Sequence, residues 1–423
     1  MKNFNLMFAV LLFISAVSAQ QPDFNYSDNI QAVKLNRPGD PYSMPMLRLN
    51  STEQLELNFD DLDGDIKNYY YTFQLCNADW TPSNLQPFDY IKGFQSNRLN
   101  TYRNSSIALT RYTHYELVFP ERNMTPTRSG NYLLKIFLNN DTSQLVLTRR
   151  FMVLDNRISV AAQVRTPFDS RYTLTDQRIQ VALNTANARI NLLSPQDVKL
   201  VVMQNNSWFN SVLVNRPTVY RGNYLEYNDD QLCFQAGREW RWIDIRSMQL
   251  MSERMDSMRP IDSRMNVFVK PDHDRRQLVY TFYQDLNGQF VFENRDRFNP
   301  LWQSDFALTH FTFIPPGNQA IPGRDVYLYG ELTQYRPDDH SRMEFNAEKG
   351  VYEKTLLLKQ GFYNYTYITL DGRADRNDRL SYLNTEGNFQ ATENKYTVLV
   401  YFRPFGARAD ELLGIAEVNS RLN

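Results

Sequence analysis

The chain has 423 residues, and its 46 Lys and Arg are balanced by 47 Asp and Glu. No net field favours nucleic acid, anionic lipid or a strongly acidic substrate; such a partner would need a local patch, and the linear sequence shows none. Beyond the N-terminus no run approaches the ~18 apolar residues of a membrane helix, and a mean hydropathy of -0.54 predicts a soluble body.

The first elements are an address. Lys2 precedes an apolar run over residues 6–17, broken only by Ser15, and small residues follow at Val17 and Ala19. This pattern predicts a secretory signal peptide over residues 1–19, cleaved after Ala19. No Cys follows the cut, so no lipid anchor is expected there.

Aromatic residues make up 14% of the chain, with 26 Tyr and 27 Phe, and they recur at period two, the period of strands. In residues 69–76, Tyr69, Tyr71, Phe73 and Leu75 share one face. After the turn Ser129-Gly130, Tyr132, Leu134, Ile136 and Leu138 repeat the pattern, and residues 145–154 supply a further strand. A first sandwich is expected over residues 20–155.

A middle β domain is expected over residues 156–314, with strands at 157–164, 179–183 and 198–203. A hairpin is predicted from 278–283 through Asp285-Leu286-Asn287-Gly288 to 290–292, because Asn-Gly readily takes the positive φ of a type I′ turn. The strand 306–313 could join either neighbour. Breaks at Pro315-Pro316-Gly317 and Pro322-Gly323 then open a C-terminal sandwich, residues 315–423, with strands at 326–330, 352–358, 362–370 and 396–403. In residues 352–358 charges fall on both alternating faces, which argues against a transmembrane β-barrel. The fold class is all-β, as tandem β-sandwich domains of immunoglobulin or early-set type.

Catalytic patterns are missing. His114, His273, His310 and His340 show no metal-ligand spacing, and no P-loop, dinucleotide fingerprint or nucleophile elbow occurs. Carboxylates alternate over residues 60–65, but an EF-hand needs twelve positions and a terminal Glu, so a solvated turn is expected. No enzyme activity, metal or cofactor is predicted. Cys76 and Cys233 read as two separate, buried, unpaired thiols. Candidate partner-binding residues are Trp208 and Phe209, in a polar loop, and Met251 and Met255, from Met248, Met251, Met255 and Met258 at helix-like intervals.

Five stretches carry a resemblance: NFDDLDGDIKNYYYTFQLCNADWTPSNLQPFDYIKGF (58–94), YTHYELVFP (112–120), FQAGREWRWIDIRS (234–247), YQDLNGQFVFEN (283–294) and YTVLVYFRPFGARADELLGIAEVNS (396–420). Together they resemble the plug proteins of the Bacteroidetes type IX secretion system, with CNADW (76–80) the most specific element. The resemblance implies a non-catalytic periplasmic protein at the inner face of the outer membrane. Its implied partner is the outer-membrane translocon barrel protein, whose periplasmic mouth it would seal. Residues 315–423 are also similar to glycogen-binding early-set modules, which stack sugars on two Trp; Tyr335 and Ala374 stand at those positions. A glycan-binding module is therefore the alternative, weakened by the loss of one platform.

Overall fold

The computed structural model describes residues 22–370 and 380–421; the expected signal peptide and Ala374 lie outside the described residues. The protein is all-β, and period two decides its first core. Strand Tyr69–Cys76 pairs antiparallel with Gly130–Leu138, placing Tyr71 opposite Ile136, Phe73 opposite Leu134 and Leu75 opposite Tyr132. All six are buried, and they face Leu55, Leu57, Phe59, Tyr115 and Leu117 from a second sheet. Alternation sends one side chain in two inward, and the intervening Tyr70, Thr72 and Gln74 stay half-buried.

The next two cores do not follow the expected boundary at 314/315. Strand Val198–Gln204 pairs along its whole length with Lys395–Phe402, from Val198 opposite Phe402 to Gln204 opposite Tyr396. The second core therefore joins Ile179, Val181, Leu200 and Val202 to Val398, Val400 and Leu413. A third core is built from the chain between them. Arg241–Asp244 and Phe290–Phe292 flank Gly361–Leu370 in one sheet, and Phe306–Ile314 pairs with Val351–Lys359 in the facing one. Thus residues 156–314 and 315–423 each contribute to both cores. Hydrophobic alternation fixes which face of a strand is buried, but it does not name the partner strand.

Half of the predicted hairpin forms. Asn287 and Gly288 take φ of 50° and 83°, and strand Phe290–Phe292 follows. The preceding residues 278–283 are not a strand, because their polar groups bind elsewhere. Tyr280 donates its hydroxyl to Glu239 Oε1 and Tyr283 donates to the Glu239 and Trp240 carbonyls, while the Leu278 carbonyl accepts from Arg238.

The chain leaves the second core near Ala236 and returns near Asn394, and these two crossings are bound side by side. Phe389 N donates to Gly237 O at 3.1 Å, Thr392 Oγ1 to the same oxygen at 2.9 Å, and Asn394 Nδ2 to Ala236 O at 2.9 Å. Beneath them lies a buried charge network. Arg241 grips both oxygens of Glu386, at 2.9 and 3.0 Å, and Asp272 at 2.7 Å. Arg275 adds a contact to Glu386 at 2.6 Å, and Tyr365 and Tyr367 donate hydroxyls to Asp272. Burial works against the charge of Glu386, yet Arg241 and Arg275 hold its pKa down at about 2.

The first unit is fastened to the others in the same way. Lys359 and Asp60 form a fully buried ion pair between the third and first units, and Lys359 also donates to Leu301 O. Lys34 reaches Glu331 at 2.5 Å and Phe290 O at 3.0 Å. Asp410, on the approach to the last strand, accepts from Ala78 N at 2.9 Å, Lys199 at 3.0 Å and Arg403 at 2.8 Å.

Two predictions follow from burial. Glu386→Gln leaves Arg241 and Arg275 without half of their counter-charge, and the expected cost is about 3–5 kcal/mol at pH 7, read as a fall in denaturant midpoint. Because the folded pKa of Glu386 lies below the ordinary carboxylate value, its contribution is present above that value and fades as pH falls toward 2. The wild-type advantage over Glu386→Gln should therefore shrink across that window, and a constant difference down to pH 2 would contradict the assignment. Cys76 is buried and Cys233 half-buried, and both are free thiols; burial pushes Cys76 up to about 12. Alkylation in denaturant without reductant should add two groups by mass, whereas a disulfide would add none.

Candidate partner-binding surfaces

The acidic turn fills itself. Lys67 Nζ sits 2.8 Å from Asp61 and 3.5 Å from Asp65 and also contacts Asp63. Among the described residues these three carboxylates are the group whose oxygens converge as metal ligands would, and an ammonium already stands among them. Partial burial disfavours that charge, but hydrogen bonds to Asp61 and Asp63 keep the Lys67 pKa above the ordinary lysine value. The histidines are dispersed. His114 is buried against Asp60 and Asn58, His310 stacks on Phe268 with ring centroids 4.4 Å apart, and His273 and His340 are exposed on separate segments.

The four candidate partner residues fall into different environments. Asn205 and Asn206 turn the chain with φ of 51° and 60°, a conformation that Asn tolerates, and this carries Trp208 away from its own core. Its ring lies edge-on to Trp80 at 4.8 Å. The Arg150 guanidinium, paired with Asp23 at 2.8 Å, lies 4.9 Å from Trp80 and 5.4 Å from Trp208. Trp208 is thus a joint between the first and second units. CNADW supplies the other side of that joint: Ala78 N reaches Asp410 and Trp80 meets Trp208.

Phe209 points the other way. It is 36% exposed, with its ring 6.5 Å from Tyr329, at the rim of a cleft of about 460 Å³. All three units line that cleft, through Asp23, Arg150, Asn206, Ser211, Tyr335 and Arg336.

Two expectations are corrected here. Met255 is 2% exposed in the third core beside Val267, Val269 and Ile243, so it cannot serve as a surface anchor. Its spacing from Met251 looked helical, but residues 255–261 are a strand. Tyr335 is 8% exposed and packs against Tyr329 and Trp240 at centroid distances of 5.6 and 6.3 Å. A ring turned inward offers no face for a sugar.

Met251, 53% exposed, belongs to a cluster that the linear sequence conceals. Three loops, residues 105–111, 246–252 and 294–305, meet at one end of the third core. Asp296 accepts from Ser247 Oγ at 2.6 Å and Met248 N at 2.7 Å; Asp305 accepts from Leu109 N at 2.7 Å and Thr110 N at 3.0 Å. Ser106 N donates to Trp302 O at 2.9 Å, and Tyr112 donates to Ser304 O at 2.8 Å. The tips of these pinned loops are Ile107, Leu109, Leu250, Met251 and Phe298. A lone apolar residue inside a polar loop, such as Phe298 between Arg297 and Asn299, was the available signal.

Three comparisons with known proteins bear on this architecture. The sequence profile described as "Type 9 secretion system plug protein 1st domain" matches residues 30–155. A hypothetical protein from Parabacteroides merdae ATCC 43184, known from a crystal structure, is 32% identical. The match covers 95% of this chain and 100% of that one, with a TM-score of 0.89. No curated protein matches the sequence.

Phe209 and Trp208 give a paired test of these environments. Trp208→Ala should lower stability by about 3–5 kcal/mol and Met255→Ala by about 2–5, whereas Phe209→Ala should leave the thermal midpoint within a degree or two. A large stability loss for Phe209→Ala would make it a core residue.

Proposed function

This chain belongs to the type IX secretion system plug family, and on that premise we propose that it seals the periplasmic mouth of the outer-membrane translocon barrel without performing catalysis. The observation that carries the reading is the match of residues 30–155. Export by the signal peptide over residues 1–19, with cleavage after Ala19, would deliver it to the periplasm.

The physical properties of the body suit a cap. Buried ion pairs and the joint of Trp80 with Trp208 hold the three sandwiches against one another, so contacts made at one place are backed by the neighbouring units. The formal charge of -1 supplies little long-range steering, which leaves shape and short-range contacts to provide selectivity. A cap that also exists free cannot carry one large greasy face. Phe209 meets that requirement: it is a single aromatic anchor among Asp23, Asn206, Ser211 and Arg336, and we assign it to the barrel contact. The glycan-binding alternative loses its remaining platform with the burial of Tyr335.

Translocon solubilised in detergent should co-purify with a tagged copy of the protein when no cargo is engaged. Phe209→Ala should reduce that recovery roughly tenfold, the effect of losing about 1.4 kcal/mol at an anchor, with its melting temperature unchanged. Wild-type protein that fails to co-purify under every cargo condition would sink the plug reading; intact recovery for Phe209→Ala would only move the contact elsewhere.

A further inference from the structure

Strand Ser159–Arg165 opens the second unit and lies at the end of its sheet. On one side it pairs with Asp176–Asn184 in an unbroken register, from Ser159 opposite Asn184 to Arg165 opposite Arg178. On the other side, among the described residues, no strand is bonded to the backbone of residues 159–165. We propose that this free edge pairs antiparallel with the same edge of a second copy of the chain, about a two-fold axis at Ala162.

The edge lacks the devices that keep sheets apart. Among the described residues, three other strands of seven or more residues end a sheet: Ile30–Asn36, Met255–Ile261 and Glu411–Asn419. The first breaks register between Gln31 and Lys34, and the second breaks it between Met255 and Ser257 and also carries Pro260. The third lies against a register break at Val400 and Tyr401 and carries Glu417, paired with Lys395 at 2.8 Å. Bulges, proline and charge each spoil a template for further pairing. Residues 159–165 read Ser-Val-Ala-Ala-Gln-Val-Arg, with no register break, proline, lysine or acid. Their one charge, Arg165, stands at the end of the strand and is bonded to Gln163 and Gln180.

The side chains decide what this edge fits. Val160, Ala162 and Val164 pack half-buried against the second core, while Ser159, Ala161, Gln163 and Arg165 are exposed. A two-fold axis at Ala162 sets Val160 opposite Val164 of the second copy and Ala162 opposite Ala162. On the outer face it sets Ala161 opposite Gln163 and Ser159 opposite Arg165. All seven residues pair, β-branched side chains meet on the inward face, and no like charges are opposed. A slip of one residue would set inward Val160 against outward Arg165, which the pleat forbids. A slip of two would leave two residues of each edge unpaired. The ends also fix the register. Pro167 has no N–H with which to continue a ladder, and Arg157 N and Ile158 N already donate to Leu413 O, at 2.8 and 2.9 Å. The edge is thus complementary to itself, a symmetry that the strand of a different protein would not require, and a two-fold pair closes on itself without growing into a fibre.

The pairing does not depend on the function proposed above, and its test needs no translocon. Seven residues a side make a small interface, so sedimentation of the full chain without its expected signal peptide should show a monomer–dimer equilibrium with a dissociation constant of about 10–100 µM. Ala161→Lys with Gln163→Lys opposes Lys to Lys and should weaken the dimer by about tenfold or more, with an unchanged melting temperature because both side chains are exposed. Ala161→Glu with Gln163→Glu should do the same, and an equal mixture of the two variants should dimerise again. Ala162→Cys should form an interchain disulfide under mild oxidation, whereas wild type and Ala161→Cys should not. That cross-link decides the case if a charged variant loses stability. The proposal is overturned if wild-type protein stays monomeric up to about 300 µM, if the Lys variant dimerises as well as wild type, if the mixture does not recover, or if Ala162→Cys fails to cross-link. Monomeric wild type with translocon recovery lost in the Lys variant would make the edge a site for the partner's strand and overturn self-pairing. A dimer that persists while translocon co-purification fails would leave this interface standing and the plug reading fallen.

Discussion

The clamp of Arg241 and Arg275 on Glu386 is the constraint on which the architecture turns. The chain leaves the second core, builds the whole of the third, and comes back to complete the second with Lys395–Phe402 and Glu411–Asn419. Those two passages are short irregular segments, held together by specific polar contacts. The backbone bonds around Gly237 hold them laterally, and Glu386 ties the returning passage to Arg241 at the start of the third core. A buried carboxylate is unfavourable alone, and it is tolerated here because two guanidinium groups satisfy it at short range. The network therefore specifies a register between two cores as much as it adds stability.

Charge does the same at the outer joints. Lys359 and Asp60 meet where the first and third units touch, and Asp410 collects partners from the first unit and the second. Apolar surfaces can slide past each other at small cost, but a buried ion pair displaced by a few ångströms leaves two unpaired charges. Three sandwiches joined in this way act as one body. The aromatic joint of Trp80, Trp208 and Arg150 adds an apolar counterpart at the remaining contact.

Rigid joints leave function to the surface that they present. The cleft beside Phe209 is lined by all three units, and Phe298 and its neighbouring exposed apolar side chains lie on separate, hydrogen-bonded loops.

The sequence by itself determined what a strand can announce about itself. The alternation in Tyr69–Cys76 identified an inward face of Tyr69, Tyr71, Phe73 and Leu75, and Asn287-Gly288 announced a turn, because side-chain period and backbone φ are properties of a few adjacent residues. CNADW could be seen as distinctive, although its role as half of a joint could not. Tertiary structure decided the rest. It paired Val198–Gln204 with Lys395–Phe402, across almost the full length of the second and third units, where alternation is silent about partners. It kept residues 278–283 out of a sheet by drawing Tyr280 and Tyr283 to Glu239 and Trp240, and it buried Met255 and Tyr335 while leaving Met251 and Phe209 outside. It also brought the loops of residues 105–111, 246–252 and 294–305 together through Asp296, Asp305 and the Trp302 carbonyl. Burial and local charge are sums over neighbours in space, and in this protein the decisive neighbours lie hundreds of residues apart.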